Sequence, residues 1–281
     1  MGALKFVLIV FLCAVGLWFA LELVLTAASF ILVAILGPKE PPRRGPRNPG
    51  RAIVAFLAEC AAAAVTHFLV TVTEPLTPRK KTVTLKIGST PILLVPGYFS
   101  NRACFFVFAR LLRNLGASHI YMIDPKPMTA DIRELANQLA EKVDAIFGAT
   151  GVTQINLIGH SMGGLIARYY VEQLGGASKV NVCVTLGTPH HGTALSRLAW
   201  GTNGKQMRPG SAFLADLNRF EHISKETRFV SIWSTFDNMS APRTTSILGG
   251  DATNVSVDYL GHLSMLYSPS VARLVWQNLH R

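Results

Sequence analysis

Residues 155–164, Ile155-Asn156-Leu157-Ile158-Gly159-His160-Ser161-Met162-Gly163-Gly164, run from an apolar stretch through a serine framed by glycines and straight into an amphipathic helical pattern. At average glycine and serine usage the bare G-x-S-x-G pattern turns up by chance in roughly one chain of this length in ten, so its context carries the weight. A strand that ends in a tight turn and opens a helix lifts a serine hydroxyl above the edge of a sheet. Side chains would obstruct that strained turn, and Gly159 and Gly163 remove the obstruction. The helix N-terminus then faces the reacting oxygen, where its dipole favours negative charge and the Met162 N–H is placed to donate to an oxyanion.

Reading outward from the turn, short apolar runs alternate with helical periodicity from about residue 83. Strands are expected at 91–98, 119–124, 155–161, 179–187, 228–235 and 253–259, and helices at 103–115, 130–148, 163–175 and 267–279. Strands that are apolar on both faces and separated by helices predict an α/β fold. Its central sheet would be mostly parallel, covered by helices on both faces and wound right-handed.

The first third reads differently. Leu4 to Leu36 is a run of 33 positions broken only by Lys5 and Glu22. As a helix it is about 50 Å long against roughly 30 Å of hydrocarbon, so it must tilt or reach into the interface. The apolar part of a cleaved secretory signal is about 7 to 15 residues, so the length favours an anchor over residues 1–37. Residues 38–51 form a Pro- and Arg-rich linker. Residues 52–72 are long enough for a second span, but Glu59, His67 and an alanine run weaken that reading. An interfacial helix, or one packed on the rest of the chain, is the alternative. By the positive-inside rule Lys39, Arg43, Arg44, Arg47 and Arg51 lie on the cytoplasmic side. One span then leaves the remaining chain in the cytoplasm, and two place it outside, where Arg79, Lys80 and Lys81 oppose the rule. The expected division is anchor 1–37, linker 38–51, second apolar helix and linker 52–82, and a catalytic domain at 83–281 with a small cap near 193–220.

Composition agrees with a membrane-associated protein. The chain has 281 residues, 49% of them apolar and 15% charged; its mean hydropathy is +0.33 and its pI near 9.8. Such numbers exclude a disordered chain. The 27 basic against 16 acidic residues give +11, which suits anionic partners. The charge is spread, 9 basic to 4 acidic over residues 1–81 and 18 to 12 over the rest, with no basic stripe interleaved with aromatics. Anionic lipid fits that better than nucleic acid. Four cysteines show no paired or metal-type spacing and are expected as free thiols, mostly buried. No phosphate loop, dinucleotide fingerprint or metal-binding motif is present, so no cofactor is expected.

Through Gly159–Gly164 and the downstream Leu186-Gly187-Thr188-Pro189-His190-His191-Gly192-Thr193, residues 90–281 resemble the α/β-hydrolase superfamily, and within it bacterial lipases and esterases. The resemblance implies hydrolysis of carboxylic esters by a serine, acid and histidine in that chain order. It also implies an oxyanion hole shared between the residue after the serine and the loop after the first strand. Ser161 is then the nucleophile. Asp237, after the strand at 228–235, is the favoured acid, with Asp251 and Asp258 as alternatives. His262, before the last helix, is the favoured base. His190 and His191 match a structural turn of the family near the cleft, His222 lies in a polar stretch and His280 at the chain end. The oxyanion donors are the Tyr98 and Met162 N–H groups. The chain departs from the usual lipase pattern in carrying Pro96-Gly97-Tyr98 where a His-Gly pair is usual.

Leu195, Leu198, Trp200, Met207, Phe213, Leu214 and Leu217, with Arg197 and Arg208 among them, read either as an apolar lid over the cleft or as ordinary helices with a buried face. The expected activity is that of a membrane-anchored lipase or esterase on lipid-like esters. A thioesterase or acyltransferase with the same triad, and a catalytically silent hydrolase scaffold that binds a partner at the membrane, are the competing readings.

Overall fold

The computed structural model describes residues 3–37, 48–73, 90–219 and 226–281. The linker bases Lys39, Arg43, Arg44 and Arg47, residues 74–89 with Arg79, Lys80 and Lys81, and His222 lie outside them.

Two long helices come first, α1 (Ala3–Leu36) and α2 (Pro49–Thr73). They are followed by β1 (Ile92–Val95), α3 (Phe106–Asn114), β2 (Ile120–Met122), α4 (Ile132–Thr150), β3 (Ile155–His160), α5 (Met162–Gln173) and β4 (Val180–Leu186). Short helices α6 (Gly201–Gln206) and α7 (Ala212–Leu217) lead to β5 (Arg228–Ser234), β6 (Thr253–Val257) and α8 (Pro269–Leu279). The strands make one six-stranded sheet in the order β2-β1-β3-β4-β5-β6, with every neighbouring pair parallel.

Strand alternation divides the interior in two. Leu93, Val95, Leu157, Cys183 and Phe229 face α4, α5 and the short helices α6 and α7. Ile92, Leu94, Ile158, Val184 and Ile232 face α3 and α8. Both faces of the central strands are therefore dry, which explains why those strands read as continuous apolar runs. The chain leaves β1 toward β2 on one side and returns to β3 on the other. Such a reversal opens a crevice at the carboxyl ends of β1 and β3, and Tyr98 and Ser161 follow those two strands.

The stretch from 193 to 219 belongs mainly to the core. Met207, Phe213, Leu214 and Leu217 pack into the cluster that holds α4 and α5. The buried Arg168 of α5 ties the same stretch down through Asn218 Oδ1 at 2.8 Å and the Leu217 carbonyl at 3.0 Å. Only the short piece with Leu198 and Trp200 has a lid's exposure, Trp200 being 77% exposed.

α1 and α2 are antiparallel and joined side by side. Trp18 Nε1 donates to the Ala64 carbonyl at 3.3 Å, His67 meets Glu22 at 2.8 Å, and the Phe30 and Phe56 rings lie 5.7 Å apart. Segments of both, Cys13–Leu36 and Pro49–Val72, are long and apolar enough to cross a membrane. Yet α2 is packed on the sheet domain along its length. Arg51 lies over the Tyr259 ring, Thr66 Oγ1 is 2.8 Å from the Tyr267 hydroxyl, and the Val70 carbonyl accepts from Asn101 Nδ2 at 3.0 Å. That run of contacts covers about 28 Å of helix. Of the readings given for residues 52–72, second span, interfacial helix or helix packed on the rest of the chain, α2 combines contacts to the sheet domain with a length and apolarity sufficient to cross a membrane. α1 docks near its end, where Val33 joins Ala194 and Ala241.

The split of the 193–219 stretch is measurable. Phe213→Ala empties a core position and should lower the unfolding free energy by about 3–5 kcal/mol, whereas Trp200→Ala should change it by no more than about 0.5 kcal/mol. Denaturant titration of both variants checks the pair, and equal effects would contradict the division into core and exposed rim.

Candidate active site

Ser161 occupies the turn between β3 and α5 with φ 55° and ψ −127°, a backbone conformation that a non-glycine residue keeps only when its surroundings enforce it. The enforcement is visible. The Ser161 N–H donates to the Leu186 carbonyl at 2.8 Å, and the Ser161 carbonyl accepts from Thr188 Oγ1 at 2.8 Å and from the Gly164 N–H at 3.0 Å. A Cβ at Gly159 would lie 2.5 Å from the Gly164 nitrogen, and one at Gly163 would lie 2.1 Å from the Val95 carbonyl oxygen, so both positions flanking the serine exclude a side chain.

Asp237 stands on the loop after β5 and is wholly buried. Its Oδ1 accepts from the Met239 N–H at 2.7 Å and the Ser240 N–H at 2.8 Å. His262 Nδ1 lies 3.1 Å from Oδ1 and 2.9 Å from Oδ2. Burial alone would push the Asp237 carboxyl up. The charge and hydrogen bond of His262, with the two N–H donors, outweigh it and hold the carboxyl below its usual value. Burial pushes the His262 imidazole down, but the charge and hydrogen bond of Asp237, joined by the charge of Glu59, leave it raised above 6.5.

The backbone of His262 is fixed as firmly as its ring. Its N–H donates to Asn238 Oδ1 at 2.9 Å, and its carbonyl accepts from His160 Nε2 at 3.0 Å. The two imidazoles lie 4.6 Å apart between centroids. Burial, then the neighbouring charge of His262, pushes the His160 imidazole down to about 3, so it is neutral and its Nε2 carries the donated proton.

Ser161 lies beside this pair. Gly187 follows Leu186, which receives the Ser161 N–H, and a Cβ at Gly187 would lie 3.0 Å from Asp237 Oδ2 and 3.2 Å from His262 Nδ1. The acid and the histidine are thus joined by hydrogen bonds, while Ser161 is partly exposed and its hydroxyl makes no hydrogen bond among the described residues. Catalytic hydrogen bonds are often loose before substrate arrives.

The loop after β1 approaches the serine at backbone distance. A Cβ at Gly97 would lie 2.9 Å from Ser161 Cβ and 3.0 Å from the His160 carbonyl oxygen. Tyr98 is the next residue along this loop, and Met162 is the first residue of α5 after the serine. Where the usual lipase pattern has a histidine, this loop is held by the Tyr98 hydroxyl. That hydroxyl accepts from the Trp200 N–H at 2.7 Å and donates to the Trp200 carbonyl at 2.9 Å.

The competing candidates are elsewhere. Asp251 and Asp258 are exposed, and Asp258 bonds Thr235 Oγ1 at 2.6 Å. His190 is fully buried with Nε2 3.1 Å from Thr185 Oγ1, and burial keeps it well below the ordinary histidine value. His191 bonds the Ile247 carbonyl at 3.1 Å and His280 the Trp276 carbonyl at 2.8 Å. Among the described residues no group of three or more His, Cys, Asp or Glu is placed to hold a metal ion. His160, Asn238 and the Tyr98 ring escaped the sequence reading, because each acts through a partner distant in the chain.

A family model described as alpha/beta hydrolase fold matches residues 90–221. A triacylglycerol lipase from Pseudarthrobacter phenanthrenivorans is 45% identical over 56 residues, which are 20% of this chain and 17% of that relative, so the chain spans under a fifth of the relative's length. Among solved structures, Aspergillus fumigatus lipase B superposes with a TM-score of 0.63 at 19% identity, over 70% of this chain and 53% of its own. Bacillus licheniformis lipase BlEst2 in mature form gives 0.61 at 17% identity, over 71% and 95%. The six parallel strands and the serine turn between β3 and α5 give the chain an α/β-hydrolase fold, which the family model matches over residues 90–221 and which these solved lipases share.

Proposed function

We propose that the protein is a membrane-seated serine hydrolase that cleaves carboxylic esters with apolar acyl groups, such as triacylglycerols, phospholipid-type esters or simpler lipid esters. One observation carries the reading: a buried, hydrogen-bonded Asp237–His262 pair stands against Gly187, whose preceding residue Leu186 holds the strained turn at Ser161.

In this mechanism His262 Nε2 takes the Ser161 proton as Oγ attacks the ester carbonyl. Asp237 holds the imidazole through Nδ1 and stabilises its charged form. The Tyr98 and Met162 N–H groups receive the developing oxyanion, each worth about 2.7–4 kcal/mol of transition-state stabilisation. His262 returns the proton to the leaving alcohol, an acyl-enzyme stays on Ser161, and water activated by the same imidazole releases the acid.

The lipid part of the reading is supported by what surrounds the serine. Phe99, Leu198, Trp200 and Met239 are all exposed. Phe99 follows Tyr98, Met239 lies two residues past Asp237, and Trp200 is the partner of the Tyr98 hydroxyl. The outward residues of α1 and α2, including Leu17, Val24, Ile31, Ile53, Leu57 and Phe68, add a broad exposed apolar surface. A surface of that extent calls for a non-aqueous neighbour, and a bilayer would supply both the neighbour and the substrate. In this reading α1 and α2 are the membrane-facing part and residues 83–281 the catalytic domain.

Turnover of p-nitrophenyl esters by the full chain in detergent tests the proposal. Ser161→Ala should lose at least about 10³-fold in kcat/KM, and activity should persist from acetate to octanoate. A steep fall beyond acetate would overturn the lipid assignment. The pH profile follows from the raised imidazole. His262 must be neutral to accept the Ser161 proton, so kcat/KM should be full at high pH and lost as pH falls through a midpoint above 6.5. Asp237→Asn should move that midpoint down and lower kcat by about 10⁴-fold. A midpoint at or below 6.5 in the unaltered protein would contradict the charge pairing.

A further inference from the structure

The two apolar helices also contact the loops of the site. Glu59, in the middle of α2, is buried, and its two oxygens accept from the Leu263 N–H at 2.9 Å and the Ser264 N–H at 2.8 Å. These are the two residues that follow His262. A Cβ at Gly261, the residue before it, would lie 2.3 Å from Glu59 Cδ, so the carboxylate presses on the histidine loop at backbone distance. α1 performs the matching task for the acid. Ser29 Oγ accepts from Asn238 Nδ2 at 2.7 Å, Asn238 Oδ1 accepts the His262 N–H at 2.9 Å, and the Phe30 ring lies 4.8 Å from that of Phe236. The loop after β1 is tied in as well, through Asn101 Nδ2 and the Val70 carbonyl of α2. The loops after β1 and β5 and the loop that carries His262 are thus each bonded to this helix pair.

A carboxylate in an apolar helix is costly unless its charge is met, which makes such a residue a functional candidate. Glu59 is met by the backbone of the histidine loop. A tether that served only to hold the enzyme near lipid would need no such bond. We propose that Glu59 is a positioning residue, and that the docked α1–α2 pair sets the His262 and Asp237 loops in their working geometry, so that catalysis depends on the pair even for a soluble substrate. The inference rests on the hydrolase reading above. The charged and titratable groups facing His262 are Asp237 from the loop after β5, Glu59 from α2 and the neutral His160 from β3. Arg243 Nε, bonded to the Asp237 carbonyl at 3.0 Å, stands behind the acid.

The test uses the full chain in detergent with p-nitrophenyl acetate, a water-soluble ester for which tethering at lipid has no value. Glu59→Gln retains the shape of the side chain but replaces one acceptor with a donor that opposes an N–H. It should lower kcat about 10- to 100-fold, the scale of a misplaced catalytic group, leave KM within about twofold, and move the acid limb of the pH profile down as a negative charge near His262 is lost. Ser29→Ala deletes a single hydroxyl and should lower kcat with KM unchanged, and it replaces Glu59→Gln should that variant not fold. Ser161-dependent turnover with wild-type kcat and pH profile in the altered chain would overturn the coupling alone. Turnover that survives Ser161→Ala would sink the hydrolase reading and this inference with it.

Discussion

A carboxylate wholly shielded from water is the constraint on which the rest of the site depends. Asp237 can be buried at the end of β5 only because the imidazole of His262 and the N–H groups of Met239 and Ser240 meet its charge. That requirement fixes the rotamer of the acid, and the acid in turn fixes the ring of His262. The strained turn at Ser161 then needs only the ordinary geometry of a parallel sheet, β3 beside β4 and β4 beside β5, to stand next to the pair. Chemistry at this site follows from pairing a buried charge, and the fold supplies the place where the pairing can be made.

The same logic extends outward into the helices. Asn238 and His160 grip the backbone of His262 from two sides, and Glu59 and Ser29 grip the loops from a third. The apolar excess of the composition thus falls into two populations. Part of the surface of α1 and α2 is taken up by the sheet domain and by the partner helix, and other apolar residues of both helices, such as Leu17, Val24, Ile53 and Phe68, are exposed. The loops that carry Asp237 and His262 are thereby held by the same two helices that are long and apolar enough to cross a membrane.

Much of this was legible in the chain. The serine turn could be read because its determinants are contiguous: the apolar strand, the flanking glycines and the helix all fall within residues 155–173. The sheet could be read because strands dry on both faces leave unbroken apolar runs. The pairing of Asp237 with His262 could be anticipated only from chain order, since 25 residues separate them. Glu59 was visible as a flaw in an apolar helix, but its partners are 204 and 205 residues away, and nothing local indicates them. The cap was ambiguous for a different reason. Phe213 and Trp200 are equally apolar as residue types, and only the packing of α7 against α4 and α5 buries one and leaves the other in the open. The Tyr98 hydroxyl ties its loop to residue 200, again beyond the reach of any window on the sequence.

Covalent trapping tests the central claim most directly. The full chain in detergent, treated with a fluorophosphonate and digested, should carry one phosphonyl group on the peptide containing Ser161. Labelling should be lost in His262→Ala and sharply slowed in Asp237→Asn. A chain that stays unlabelled while folded, or that takes the group at another residue with Ser161 unmodified, would contradict the account.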